Sequence, residues 1–213
     1  MSSVPKPPSD LGDMHVVTLA AGTELCRFHH QDYAGNQFNP GAGRSTRFHP
    51  LHDSVGAVVP TLYAGASLTV SAYEYVFHDI PFDRPVKSVY ASQIATVAFT
   101  ELITKRPLRL ATLFEPDLNR WRTTRAQLID TPPTSYAETV RWAEAIHRTH
   151  GDVDGLVWTS RRADEGHAYI LFGDRVSPAD LEVARTVRIG GDAGWMERLN
   201  DLGRRSGIRI ILG

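Results

Sequence analysis

The chain predicts a single mixed α/β (α+β) domain, and three observations carry that prediction. Its 213 residues are 42% hydrophobic, enough to bury a substantial core in one domain and short for two. Short runs rich in β-branched and aromatic residues recur between turn signals from Met14 to Leu113 and return at residues 154–172 and at the C-terminus. Stretches with helical apolar spacing, at residues 67–78, 135–150 and 194–205, fall between them with no internal repeat or long linker.

Taken in order, residues 1–13 hold three prolines and little apolar material, which predicts a flexible, extended N-terminal arm ahead of a domain spanning 14–213. Met14–Leu19 and Glu24–Phe28 have strand composition, the second delivering Arg27 toward the interior. Residues 29–43 are broken by Gly35-Asn36, Asn39-Pro40, Gly41 and Gly43, a flap in which His29, His30 and Asp32 cluster. Neighbouring strand residues point to opposite faces and no CxxC or HExxH spacing is present, so no metal site is predicted there. Val55–Tyr63, interrupted by Pro60, reads as an edge strand or a sharply bent one. Ser67 caps a helix running to about His78 and ended by Pro81, with Ser67, Ser71 and Glu74 on one face and Leu68, Ala72, Tyr75 and Val76 toward the core. Ser88–Tyr90, Ile94–Phe99 and Leu108–Leu113 read as sheet. Ser135 and Glu138 form a capping-box pattern opening an amphipathic helix that Gly151 stops. Strands follow at Asp154–Ser160 and His167–Phe172, then a helix at Gly194–Arg205 and a last strand at Gly207–Leu212.

Charge excludes more than it suggests. The 23 basic and 24 acidic residues leave a formal net charge of −1, which supplies no general attraction to nucleic acid or anionic membrane. The lone Cys26 forms no internal disulfide, and no secretory leader or long apolar span is evident, so the cytoplasm is the default compartment.

Chemistry concentrates between Gly41 and Asp79. Arg44 and Arg47 sit in a Gly-rich turn, Tyr63 ends a strand, and Glu74 lies on the next helix. Guanidinium pairs with phosphate, an aromatic face stacks a ring and a carboxylate answers hydroxyls or developing cations, so the set suits an anionic, ring-bearing ligand such as a nucleotide. Taken singly, the same residues read as solvated arginines, a core-edge tyrosine and a surface glutamate. Other chemistries lack their context. Ser160 is outside a GxSxG elbow, Gly41-Ala42-Gly43 lacks the third glycine of a dinucleotide fingerprint, no Walker GK[ST] follows, and Glu74 has only Asp79 as a distant second carboxylate for glycoside hydrolysis.

The ordered set Leu25-Cys26-Arg27-Phe28, Gly43 through Arg47-Phe48 with Pro50, Leu62-Tyr63-Ala64 followed by Ala72 and Glu74, and Asp154 through Ser160 resembles the RES domain from about Glu24 onward. The resemblance implies an ADP-ribosyltransferase-like fold with a bent mixed sheet flanked by helices. It further implies an NAD-degrading toxin that cleaves the nicotinamide–ribose bond, with phosphorolysis (NAD phosphorylase activity) established for some members. NAD is then substrate, inorganic phosphate a co-substrate, no cofactor is needed, and the partner is an antitoxin with an Xre-like DNA-binding domain. Under this reading Glu74 stabilises charge on the ribose, Arg27 with Phe28 beside it and Arg47 hold pyrophosphate or phosphate with Arg44 as the alternative, Tyr63 packs on nicotinamide or its ribose, and Ser160 hydrogen-bonds substrate. Transfer of ADP-ribose to a protein target and nucleotide binding without turnover are the competing functions. The chain departs from the family pattern at His49, where Asn is common, and across residues 78–102, which leaves the pocket rim open.

Overall fold

The computed structural model describes residues 4–81 and 83–211. Along the chain come strands β1 (Val16–Leu19), β2 (Glu24–His30), β3 (Leu51–His52), β4 (Val58–Val59) and β5 (Thr61–Gly65), and helix α1 (Leu68–Tyr75). Strands β6 (Lys87–Tyr90), β7 (Val97–Thr104) and β8 (Leu108–Thr112) precede helices α2 (Glu115–Arg120), α3 (Arg125–Leu128) and α4 (Tyr136–Thr149). Strands β9 (Gly155–Thr159), β10 (His167–Phe172) and β11 (Leu181–Arg188), helix α5 (Ala193–Arg204) and strand β12 (Ile208–Ile211) complete the domain.

Eight strands make one mixed sheet in the order β1-β8-β9-β10-β5-β2-β7-β11. Its one parallel pair, β8 with β9, is joined by the crossover that carries α2, α3 and α4, as parallel neighbours require. The joint between β5 and β2 is a single residue pair, Cys26 with Gly65, so the sheet splays there. α1 fills the gap, and the buried Ser71 Oγ accepts the Phe28 N–H at 3.1 Å where a ladder partner would otherwise stand. Gly65 allows the approach, because a Cβ at that position would meet the Ser71 backbone nitrogen at 2.7 Å.

Strand alternation divides the core by face. Phe48, Trp142, Leu156, Trp158, Ile170 and Phe172 pack between the sheet and α4, while Phe28, Ala72, Phe77, Phe99 and Trp195 pack beneath α1 and α5. The other face buries Leu25, Leu62, Leu102, Leu110, Val157 and Leu171 in a cluster built from strand and loop residues. Helices therefore cover one side, and the sheet curls over its own apolar residues on the other. The bent mixed sheet implied by the resemblance is present.

Several boundaries move for physical reasons. Pro60 splits the expected Val55–Tyr63 strand into β4, which pairs β3 in a separate ladder, and β5 in the main sheet. The first helix keeps its predicted cap, since Ser67 Oγ accepts the Val70 N–H at 3.2 Å, but buries Val70, Ser71, Ala72 and Tyr73 and leaves Tyr75 at 45% exposure. Tyr75 is thus no core residue. The capping box at Ser135 does not form: its side chain caps nothing and a 3-10 turn, Pro133–Ser135, leads into α4 instead. Ile94 closes another such turn, so β7 starts at Val97. Strand β11 carries Glu182, Arg185 and Arg188 on a mostly exposed, bulged edge, a charged edge that apolar periodicity misses. Leu212 lies outside the described residues. The arm, over residues 4–13, is extended as its prolines require, yet it is laid on the body: Leu11 is buried, Trp121 Nε1 donates to the Leu11 carbonyl and Trp142 Nε1 to that of Pro5.

Two histidines are structural. His29 is 3% exposed with Nε2 at 2.7 Å from Thr100 Oγ1, and His49 is 2% exposed with Nδ1 at 2.8 Å from Thr61 Oγ1. Burial lowers both pKa values below the ordinary 6.5. Each binds fewer protons folded than unfolded, so the stability they contribute is full above about pH 6.5 and is lost as pH falls below it. Urea midpoints measured between about pH 7.5 and pH 5.5 are expected to fall on acidification, and His49→Asn to flatten that fall; an unchanged slope in the variant would remove His49 from the account.

Candidate active site

Glu74 reaches the site from the last turn of α1, Ser160 from the residue after β9, Arg47 from the turn before β3 and Tyr63 from β5. Ser160 is fully buried, and its hydroxyl donates to Glu74 Oε1 at 2.7 Å. Ser160 Oγ itself accepts from the Arg162 and Ala163 N–H groups at 3.4 and 3.2 Å, and the Arg161 N–H reaches Glu74 Oε1 at 3.3 Å. This tight turn after β9 fixes the carboxylate from one side. Its other oxygen faces Arg47, with Nη1 to Oε2 at 3.8 Å and both side chains largely buried.

Arg47 is 2% exposed, held by its backbone more than by its head group. Thr46 and His49 pair across the turn, Phe48 packs edge-on against Trp158, and Thr139 Oγ1 of α4 donates to the Arg47 carbonyl. Tyr63 ties the turn to the sheet, its hydroxyl accepting from the Phe48 N–H and from Thr46 Oγ1 at 3.0 Å each. Burial pushes the phenol pKa up, so Tyr63 stays neutral. Among the described residues the Arg47 guanidinium has no close hydrogen bond: beyond the 3.8 Å approach to Glu74, Nε and Nη2 are buried without a partner there, and the Tyr136 ring lies 5.9 Å away. Buried donors left unsatisfied are costly, and here they stand beside a lone carboxylate, an arrangement suited to gripping an anion while the carboxylate faces a cationic carbon.

Charge around this pair is strongly positive. Arg162 donates to the Ile80 carbonyl at 2.6 Å, and burial, with Arg161 beside it, lowers its pKa to about 10. Arg161 donates to the Thr131 carbonyl at 3.1 Å. At the rim the exposed Arg44 pairs with Asp79, whose carboxylate also accepts from His78 Nδ1 at 2.8 Å.

The structure therefore gathers Arg47, Tyr63, Glu74 and Ser160, and sets Arg44 at the edge. Arg27 is used differently: its guanidinium donates to the carbonyls of Gly35 and Gln37 at 2.6 and 2.8 Å, pinning the flap, and burial lowers its pKa to about 10. Phe28 is a core residue, 4% exposed, with its ring 5.1 Å from Phe99 and 6.2 Å from Trp195; it faces no cleft. Cys26 is no nucleophile at neutral pH, because burial and Glu101 raise its thiol to about 11. Sequence reasoning missed Tyr136, His78 and Arg162. Tyr136 was hidden as the first residue of an amphipathic helix, and His78 in a stretch with no periodic signal. Two cavities, of about 700 and 450 Å³, flank α5 and are lined by neither Glu74 nor Arg47.

Compared with known families, the chain matches the RES domain over residues 24–192. No curated protein matches the chain.

Ser160→Ala is expected to cost about 1–3 kcal/mol of unfolding free energy, because it leaves two part-buried N–H groups and a carboxylate oxygen without their shared partner. Urea denaturation checks this, and an unaltered midpoint would show that water replaces the hydroxyl without loss.

Proposed function

We propose that this chain, which belongs to the RES domain family, degrades NAD by breaking the bond between nicotinamide and ribose, with inorganic phosphate as the attacking group. The observation that carries the reading is the pairing of one buried carboxylate, Glu74, fixed by Ser160, with one buried guanidinium, Arg47, whose Nε and Nη2 have no partner among the described residues. Departure of nicotinamide needs a single carboxylate: the pyridinium nitrogen takes the electron pair of the breaking bond and leaves neutral, so no acid has to protonate it. Positive charge grows on the ribose, and Glu74 stabilises it most at the transition state. A phosphate oxygen then bonds to the anomeric carbon, giving an ADP-ribose phosphate. Arg47 is placed to hold the incoming phosphate or the NAD pyrophosphate, and the Arg161 and Arg162 charges add to that attraction.

In this reading the protein is the toxin of a toxin–antitoxin pair, acts in the cytoplasm where NAD is held, and is silenced by an antitoxin carrying an Xre-like domain that covers the site. No helix among the described residues is long and apolar enough to cross a membrane. Besides the substrate contacts that the resemblance implies for them, Tyr63 accepts two hydrogen bonds from the Arg47 turn and Ser160 donates to Glu74.

Glu74→Gln keeps size and removes charge. Nicotinamide release is expected to fall by about 10²–10³-fold, with NAD affinity changed little. Phosphate-dependent formation of ADP-ribose phosphate marks a phosphorylase, plain ADP-ribose a hydrolase, and label carried onto protein a transferase; near-normal release by the folded variant would reject Glu74 as the catalytic carboxylate. Arg47→Lys is expected to weaken NAD or phosphate binding, since an ammonium lacks the planar fork.

A further inference from the structure

One chain of contacts near the site is unused by the chemistry above. Arg44 pairs with Asp79. Asp79 accepts from His78 Nδ1 at 2.8 Å, and His78 Nε2 lies 3.2 Å from the Tyr136 hydroxyl. The Tyr136 ring in turn stands 5.9 Å from the Arg47 guanidinium carbon. Tyr136 is 4% exposed, so it is a fixed wall and not a surface residue. Arg44 and Arg47 stand three residues apart on one turn, and the series from Asp79 through His78 to Tyr136 meets both of them. Thr139, one turn along α4 from Tyr136, holds the Arg47 carbonyl as well.

Hydrogen bonding dictates the proton positions. The Asp79 carboxylate only accepts, so His78 carries its proton on Nδ1; in the neutral ring Nε2 is then a lone pair, and the Tyr136 O–H must donate to it. A second proton on His78 reverses that bond: Nε2 becomes a donor, the phenol oxygen accepts, and the phenol O–H no longer points at His78. The charged groups around this relay are Asp79, Arg44, Arg47, Arg161, Arg162 and Glu74. The Arg47 guanidinium lacks a close hydrogen bond among the described residues, so what packs against it has unusual weight in fixing its plane.

We infer that Tyr136, held by His78 and Asp79, is a positioning residue for Arg47, and that protonation of His78 loosens the guanidinium from its place opposite Glu74. The structural half of the inference stands without any reaction; its effect on turnover rests on the NAD-cleaving reading. Neutral His78 is the state that holds the site ready.

The test has two arms. In the free protein, the ¹⁵N NMR resonance of Arg47 Nε–H, assigned with Arg47→Lys, is followed from about pH 8 to pH 5. It is expected to move with pH in the wild type, and to stay still in His78→Gln and Tyr136→Phe. A resonance indifferent to pH in the wild type, or moving equally in both variants, overturns the relay. In the second arm NAD is the probe. Tyr136→Phe is expected to raise KM by about three- to tenfold with a smaller change in kcat, the scale of one lost cation–π orientation. His78→Gln, which cannot take the proton, is expected to lose the acid-side decline of turnover. Unchanged KM in Tyr136→Phe and an acid decline retained in His78→Gln count against the relay. Absence of NAD turnover in the wild type overturns the proposed reaction alone, because the first arm still decides the relay.

Discussion

A buried guanidinium facing a buried carboxylate without a close hydrogen bond between them is the constraint that the surrounding structure serves. Left to themselves, the two groups would either close to hydrogen-bonding distance or escape to water, since desolvation of each is costly. Neither happens, because each is anchored by its own neighbours. Glu74 is drawn toward Ser160 and the Arg161 N–H. Arg47 is set by the pairing of Thr46 with His49, by Tyr63 and by Thr139. The 3.8 Å separation is thus maintained by bonds on opposite sides, and the residual attraction stays available for a third group.

That arrangement needs the particular curl of the sheet. Glu74 rides on α1, and α1 lies close only because β2 and β5 share one residue pair and Ser71 completes the opened ladder. Ser160 follows β9, two strands from β5 across β10, so the carboxylate bridges helix to sheet across the splayed joint. The parallel crossover from β8 to β9 brings α4 and its Tyr136 over the same face. A flatter sheet with β2 and β5 fully paired would leave no room for Ser71, and the helix carrying Glu74 would stand farther from Ser160.

Much of this was legible in the residues, and the failures have causes. Elements with an apolar face, such as β9, β10 and α4, were found because burial on one side imposes a period. Strand β11 was not, because an exposed edge is protected by charge and so has no such period. Within the site, Arg47, Glu74, Tyr63 and Ser160 were singled out from a family pattern, whereas composition alone left each with a bland reading. Phe28 was misplaced by association with Arg27: on a strand, consecutive side chains leave on opposite faces, and Phe28 went to the core beneath α1 and α5. Tyr136 and His78 depend on contacts between segments 58 residues apart, which no local pattern can announce.

The contacts also separate two kinds of residue within the motif. Ser160 has spent its proton on Glu74 and both lone pairs on backbone N–H groups, Tyr63 accepts two hydrogen bonds from the Arg47 turn, and Arg27 is engaged with two carbonyls of the flap. A group whose hydrogen bonds are already filled gains little by turning to a ligand, because it must break as many bonds as it makes. Among the described residues, Glu74 Oε2 and the Arg47 guanidinium are the members left without close hydrogen bonds. The Arg, Tyr, Glu and Ser of the pattern thus form a few architectural contacts around one charge pair, on which the proposed reaction would place its binding and chemistry, at Arg47 and Glu74.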